Sequence, residues 1–341
     1  MNNTLTDSIL NNFRKRLLKK ELPLEYIVIA LTLFAAVLFM LFVDGFARLG
    51  NLEILARNSA ALTVLSCGMA VVIITRGLDL SQVSVMVAVA AVFGSLIVNG
   101  HGYGFALTAS FCLALLLGAL NGFLIAYIEI PPLLTTLATG MLITGVSRWV
   151  ITQGVFLLLL PKDAPIIGFL STGRLFSIPV PVIIGLILLL ITYLLLNKTV
   201  FGRMLYAIGE NSNAARLTGF SIRLATVAAY AFTAATAMLA GVIVASASGT
   251  VDYRIVTNGT LLFEVIMVVV LGGGSLRGGR GSVFSIIVGV LLISILRNGM
   301  TLMNLSSQVQ GLIKGLVLIS AIVIDNYYNP RDTETDTQGD L

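Results

Sequence analysis

Five ionisable side chains stand inside or at the rims of long apolar runs: Asp79, Glu129, Arg148, Glu264 and Lys314. A charge in hydrocarbon is costly, so each is a functional suspect by default. Asp79 and Glu129 fall at run ends, where a solvated helix terminus accounts for them equally well, and Glu264 lies near another run end. Arg148, beside Trp149, can snorkel to an interface. Lys314 is the deepest by position. A proton or sodium relay needs acids at mid-membrane, and no acid stands clearly there, which argues against an ion-coupled carrier. A Ser/His/Asp set is missing as well. The single histidine, His101, sits in "NGHGYG" and cannot build a metal site, and Cys67 and Cys112 read as small packing residues within apolar runs. Neither a catalytic residue, nor a metal, nor a cofactor of the chain's own is expected.

The stretch "LGGGSLRGGRGS" invites a phosphate-loop reading, because amides of Gly-rich turns cradle phosphates. It lacks the Gly-Lys-Ser/Thr triplet, and its surroundings are helical rather than a strand. The expectation is a tight turn in which Gly273 and Gly274 let helices approach and Arg277 and Arg280 anchor the inner surface, with Asp79 in a second inner-face turn. Uncharged polar groups are more numerous within the runs. "IPPLLTTLATG" supplies Thr135, Thr136 and Thr139, and Asn121 and Gln82 lie on neighbouring runs. They can serve helix packing or line a path for an uncharged polyhydroxy solute.

One stretch has a soluble character. In "YAIGENSNAARLTGFSIR", Asn211 or Ser212 can cap a short helix. Ala214 and Ala215 favour that helix, Arg216 projects from it, and Gly219 can stop it. Such a helix is too short to stand alone and must pack on this protein or on another.

The elements that position these groups follow from composition. Of 341 residues 57% are hydrophobic and 11% charged, against about 25% charged in a soluble domain. Lipid is the natural solvent for most of the chain. The net charge of +5 reflects basic loops rather than a basic face interleaved with aromatics, so nucleic acid is excluded as a partner. Ten spans are expected, near 25–44, 58–76, 80–99, 103–128, 132–152, 179–197, 225–247, 262–275, 282–299 and 307–325, the eighth broken or partial. With the N-terminus inside, thirteen basic residues fall on inner segments and six on outer ones, which favours both ends inside. The fold class is therefore an all-α polytopic membrane protein of about ten transmembrane helices, some broken. It divides into a cytoplasmic segment 1–24, one transmembrane domain 25–325 with an inner loop 198–224, and a polar tail 326–341. An outer loop, about 153–178, is apolar enough to lie on the membrane or on the bundle.

Four segments carry a resemblance that covers about 25–325: "RGLDLSQVSVMV", "GALNGFLIAYIEIPPLLTTLATGML", "KTVFGRMLYAIGENSNAARLTGF" and "LGGGSLRGGRGSVFSIIVGVLLISILRNGM". They resemble the membrane permease subunits of bacterial ABC importers of the ribose, xylose, galactose and autoinducer-2 class. The resemblance implies a multi-pass protein of the bacterial plasma (inner) membrane and a path for a monosaccharide by alternating access. It also implies several partners: a second permease subunit, identical or a sister chain, a cytoplasmic ATPase with two ATP-binding halves, and a periplasmic or lipid-tethered sugar-binding protein. ATP would be bound by that partner alone. By match, the inner loop implies an ATPase-coupling helix carried by Gly209, Asn211, Ala214, Ala215, Arg216 and Gly219. The chain departs from the family at Gln82-Val83, where Val-Gly usually follows "GLDLS". The rival readings are a permease for branched-chain amino acids and an ion-coupled secondary carrier.

Overall fold

Long runs of Leu, Val, Ile and Ala satisfy their backbone in lipid only by forming helices. The computed structural model describes residues 24–161, 164–219 and 221–328, and helices dominate it. The expected N-terminal segment 1–24 lies outside the described residues except for residue 24, and the expected tail 326–341 lies outside them except for 326–328.

The helices are α1 (Leu24–Phe42), α2 (Leu49–Ile74), α3 (Gln82–Val98), α4 (Tyr103–Ala126), α5 (Pro132–Thr152), α6 (Pro165–Thr172), α7 (Val180–Lys198), α8 (Val200–Glu210), α9 (Ser212–Leu217), α10 (Ile222–Ser248), α11 (Arg254–Asn258), α12 (Thr260–Leu271), α13 (Val283–Leu302) and α14 (Ser307–Tyr328). Each of the ten expected runs carries one. Seven described helices are long and apolar enough to cross a membrane: α1, α2, α4, α5, α7, α10 and α13. The 17-residue α3 and 12-residue α12 reach about 26 and 18 Å, short of a hydrocarbon core of roughly 30 Å. The chain is thus an all-α polytopic membrane protein in which the eighth span is partial, as expected.

Two boundaries differ from expectation. Helix α2 begins at Leu49 rather than at 58. Glu53 and Arg57, one turn apart and 2.8 Å from each other, extend it past the end of the apolar run. The inner loop holds two helices, not one. The additional helix, α8, is capped by the Thr199 hydroxyl, which accepts from the Gly202 N–H at 3.1 Å, and it buries Leu205 and Ile208 on one face.

Helix α3 is apolar on every side and is buried along almost its whole length, which puts it inside the bundle. Helix α10 packs against α2, α3 and α4, while α12 packs against α2, α13 and α14, and α1 lies on α13. Large apolar side chains such as Leu116 on α4, Met141 on α5 and Leu190 on α7 point outward, as surfaces solvated by lipid tails require. The 153–178 loop lies on the bundle. Its strand β1 (Leu157–Leu159) pairs antiparallel with β4 (Thr250–Asp252), Leu157 opposite Asp252, and α6 drops Ile167 into the core beside Leu160 and Ala164. A two-residue hairpin, β2 (Arg174–Leu175) with β3 (Ile178–Pro179), closes the loop onto α7.

Candidate functional site

Three segments distant in sequence meet at the end of the bundle that the basic residues mark as inner: the turn between α2 and α3, the α8–α9 loop, and the Gly-rich turn between α12 and α13. Arg76 joins the first two. Its Nε donates to the Gly209 carbonyl at 2.7 Å and its Nη2 to the Glu210 carbonyl at 2.8 Å. Both carbonyls lie at the C-terminal end of α8, where a cation is favoured by the helix dipole. The Gly279 N–H donates to the Ile74 carbonyl at 2.8 Å, and the Tyr206 hydroxyl donates to the Gly281 carbonyl at 2.7 Å, so the third segment is tied to both others. Gly209 stands where these chains converge. A Cβ there would overlap the Ile74 carbonyl oxygen and the Gly279 nitrogen, so only glycine permits the approach. Gly273 and Gly274 begin the Gly-rich turn, Gly273 facing Glu25 of α1. The Arg277 N–H donates to the Ser275 hydroxyl at 3.3 Å, and the Arg280 carbonyl accepts from the Ser275 N–H at 3.4 Å.

From this junction α9 projects. Asn211 is its cap, its Oδ1 accepting from the Ala214 N–H at 3.0 Å, and Gly219, at φ +83°, turns the chain after it. The six residues divide into two faces. Ala215 is buried with Ile208 and Ala225 in a small inner cluster, whereas Ala214, Arg216 and Leu217 are exposed, Leu217 by 89%. The two alanines therefore do not share a surface.

The polar residues grouped by sequence also converge, mostly on the α2–α3 turn. The Asn121 amide donates to the Ser81 hydroxyl at 2.8 Å, which donates to Asp79 Oδ1 at 2.5 Å. The Ser81 N–H donates to the same carboxylate oxygen at 3.0 Å. The Thr136 hydroxyl accepts from the Leu80 N–H at 3.1 Å and lies 3.0 Å from the Leu78 carbonyl and 2.9 Å from the Pro132 carbonyl. Thr139 and Thr135 bond to carbonyls of their own helix or its start. Gln82 makes a bond of its own, its amide donating to the Leu65 carbonyl of α2 at 2.8 Å. Asp79, Gln82, Asn121, Thr135, Thr136 and Thr139 are all buried. Glu129, by contrast, is exposed and pairs with Arg223 at 3.3 Å.

At the opposite end a cavity of about 600 Å³ opens between α2, α10, α11, α12 and α13. Its polar lining includes Arg57, Asn58, Ser248, Asn258, Glu264 and Arg297. Glu264 is 3% exposed. It accepts from Lys314 of α14 at 2.5 Å and from Arg297 of α13 at 3.3 Å, so the deep lysine of the last run has a buried carboxylate as its partner. Arg297 also donates to the Asn58 carbonyl at 3.1 Å. None of the five buried residues expected along a solute path lines this cavity. Arg148 folds onto the following loop, its guanidinium 3.6 Å from the centroid of the Phe156 ring and donating to the Gly154 carbonyl at 2.8 and 2.6 Å.

The family described as "Branched-chain amino acid transport system / permease component" matches residues 51–322. This chain belongs to that family. The permease is 29% identical over 282 residues to the ribose import permease protein RbsC of Escherichia coli (strain K12), covering 83% of this chain and 87% of that protein. It is 32% identical over 309 residues to the L-arabinose transport system permease protein AraH of the same organism, covering 86% and 88%. With the galactofuranose transporter permease protein YtfT, also from that organism, it shares 31% identity over 285 residues, 83% and 81% of the two chains. No solved structure matches.

In the permease, three of the four segments that carry the family resemblance form the inner junction, and the fourth, with Asn121 and Thr136, braces it. Sequence reading passed over Arg76, Tyr206 and Ser81 as members of this site. Arg76 counted only as one of the basic residues of the inner face, and its partners are backbone carbonyls 133 and 134 residues away, which leave no trace in side-chain pattern. The Glu264–Arg297–Lys314 cluster was legible only in part, from the rule that charges in apolar runs need partners.

Proposed function

We propose that this chain is the membrane-spanning subunit of an ATP-driven importer for a monosaccharide or a similar small polyhydroxy solute. One observation carries the reading: permeases named for ribose, L-arabinose and galactofuranose align with more than four-fifths of the chain. In this reading two permease subunits enclose the path, a cytoplasmic ATPase hydrolyses ATP, and a binding protein delivers the solute to the outer end. Helix α9, with Ala214, Arg216 and Leu217 on its open face, is the element that docks into the ATPase. The wide polar mouth between α2 and α12 is where the solute enters, and Gln82, Thr135 and Thr139 stand at the inward end of its route.

Branched-chain amino acid import is the second reading, favoured by the family's description and by the carboxylate and guanidinium of Glu264 and Arg297 in the outer cavity, a pairing that suits a zwitterion. Those charges already satisfy each other, and the aligned relatives named here are sugar permeases. Reconstitution with ATPase and binding protein in proteoliposomes decides between the two. ATP-dependent uptake of ribose, arabinose or galactose is expected. Uptake of leucine with none of the sugars would overturn the sugar reading, and uptake without the ATPase would overturn the ABC reading.

A further inference from the structure

The inner junction is continuous from the exposed helix α9 to the interior of the bundle. Asn211 caps α9, and the residues just before it, Gly209 and Glu210, offer their carbonyls to the Arg76 guanidinium. Arg76 itself lies in the α2–α3 turn with a left-handed backbone, φ +64°, a conformation that a long side chain adopts only when its surroundings hold it. Beyond Arg76 the same turn is bonded to two further helices. Leu78 and Leu80 meet Thr136 of α5, and Ser81 meets Asn121 of α4. The turn has no other charged bond to the loop among the bonds the structure describes.

We propose that Arg76 is the positioning residue that carries movement of the α8–α9 loop into the α2–α3 turn, and that Asn121 and Thr136 pass it on to α4 and α5. The inference rests on the permease reading above, and it gives Asn121 and Thr136 a transmitting role in place of solute contact. Physically, two hydrogen bonds from one planar guanidinium fix both the distance and the direction between loop and turn. A lysine keeps the charge and can donate, but its single ammonium lacks the planar fork that fixes both bonds at once. The hydroxyl of Thr136 both accepts from and faces the turn's backbone, so α5 cannot shift without moving residues 78–80. Coupling of this kind needs an element that both ends bias, and the α2–α3 turn is that element.

The test uses the full permease assembled with its ATPase and binding protein, carrying Cys112→Ser and a reporter, Ala247→Cys, at the lining of the outer cavity. The rate of maleimide labelling at the reporter is measured with and without ATP plus vanadate, beside ATPase co-purification and ATP hydrolysis. In the wild-type background the nucleotide changes the labelling rate. In Arg76→Ala and Thr136→Val the ATPase remains bound and hydrolyses ATP, while the change in labelling and the solute moved per ATP both fall, about tenfold or more in Arg76→Ala, which loses two charge-assisted bonds, and about fivefold in Thr136→Val, which loses neutral ones. Arg76→Lys falls between. Responses equal to wild type in these variants overturn the proposal. So does an altered solute preference with an unaltered nucleotide response, which would return Thr136 to the solute path. If neither Arg76→Ala nor Arg76→Lys assembles, Arg76 holds the fold and the proposal also fails. If the wild-type background itself shows no response to ATP and no uptake, it is the permease reading that falls.

Discussion

Ala214 and Ala215 differ by one position on α9 and by most of their exposure. Ala215 packs between Ile208 and Ala225, and Ala214 faces solvent. Glutamate at the two positions therefore has different consequences. Ala214→Glu leaves thermal stability within about 0.5 kcal/mol and reduces co-purification of the ATPase, because a long charged side chain enters the docking surface. Ala215→Glu buries an unpaired carboxylate and costs about 2 kcal/mol or more, read as a lowered Tm of the purified permease. Equal stability of the two variants would contradict the inward orientation of Ala215. Gly209 is a second residue whose role is steric. Gly209→Ala forces α8 away from Ile74 and Gly279 at an expected cost of about 1–3 kcal/mol, and the Arg76 bonds to residues 209 and 210 lengthen with it. A melting curve, together with loss of ATP-driven uptake, checks this. The glycine was visible in the sequence as a family match, but the reason for it was not, since the two atoms it makes room for come from a helix end and a turn elsewhere in the chain.

At the scale of elements, α12, α13 and α14 are held at their outer side by Glu264, Arg297 and Lys314. The desolvation of such charges is repaid only by the pairing itself. Glu264→Gln leaves two cations facing each other and is expected to cost about 3–5 kcal/mol, whereas the double change Glu264→Gln with Lys314→Met recovers part of the loss. Thermal unfolding in detergent reads both, and a double variant no more stable than Glu264→Gln would refute the pairing as the source. The ten apolar runs were legible because lipid demands a helix wherever side chains are apolar for long enough. The second helix of the inner loop, α8, was not, although Phe201, Leu205 and Ile208 recur at the spacing of one helical face. Its amphipathic stripe is only three turns long, and what completes it is packing against α2 and α7, which lies outside local sequence.

For the whole molecule, the structure decides which loops share an end, and the distribution of basic residues decides which end is cytoplasmic. The two together make a labelling prediction. In a Cys112→Ser background, with Cys67 buried, Leu217→Cys at the inner end is exposed by 89% in the wild-type residue and Phe176→Cys at the outer end by 92%. A membrane-impermeant maleimide added to intact cells modifies the cysteine at 176 and spares that at 217, and inverted vesicles give the reverse. Labelling of both from one side would overturn the topology.

The sequence by itself determined the solvent, the apolar runs that become helices, their order, the family and the position of a short capped helix. Each of these follows from local composition, from charge counted loop by loop, or from motifs a few residues long. Tertiary structure alone decided that Arg76 reaches the end of α8, that Asn121 and Thr136 grip one turn, that Glu264 is shared by two cations, and that Ala215 is inside while Ala214 is outside. Most of these depend on contacts between residues tens to hundreds of positions apart, several through backbone carbonyls that every residue type possesses. A pattern of side chains carries no mark of which carbonyl a distant arginine will find.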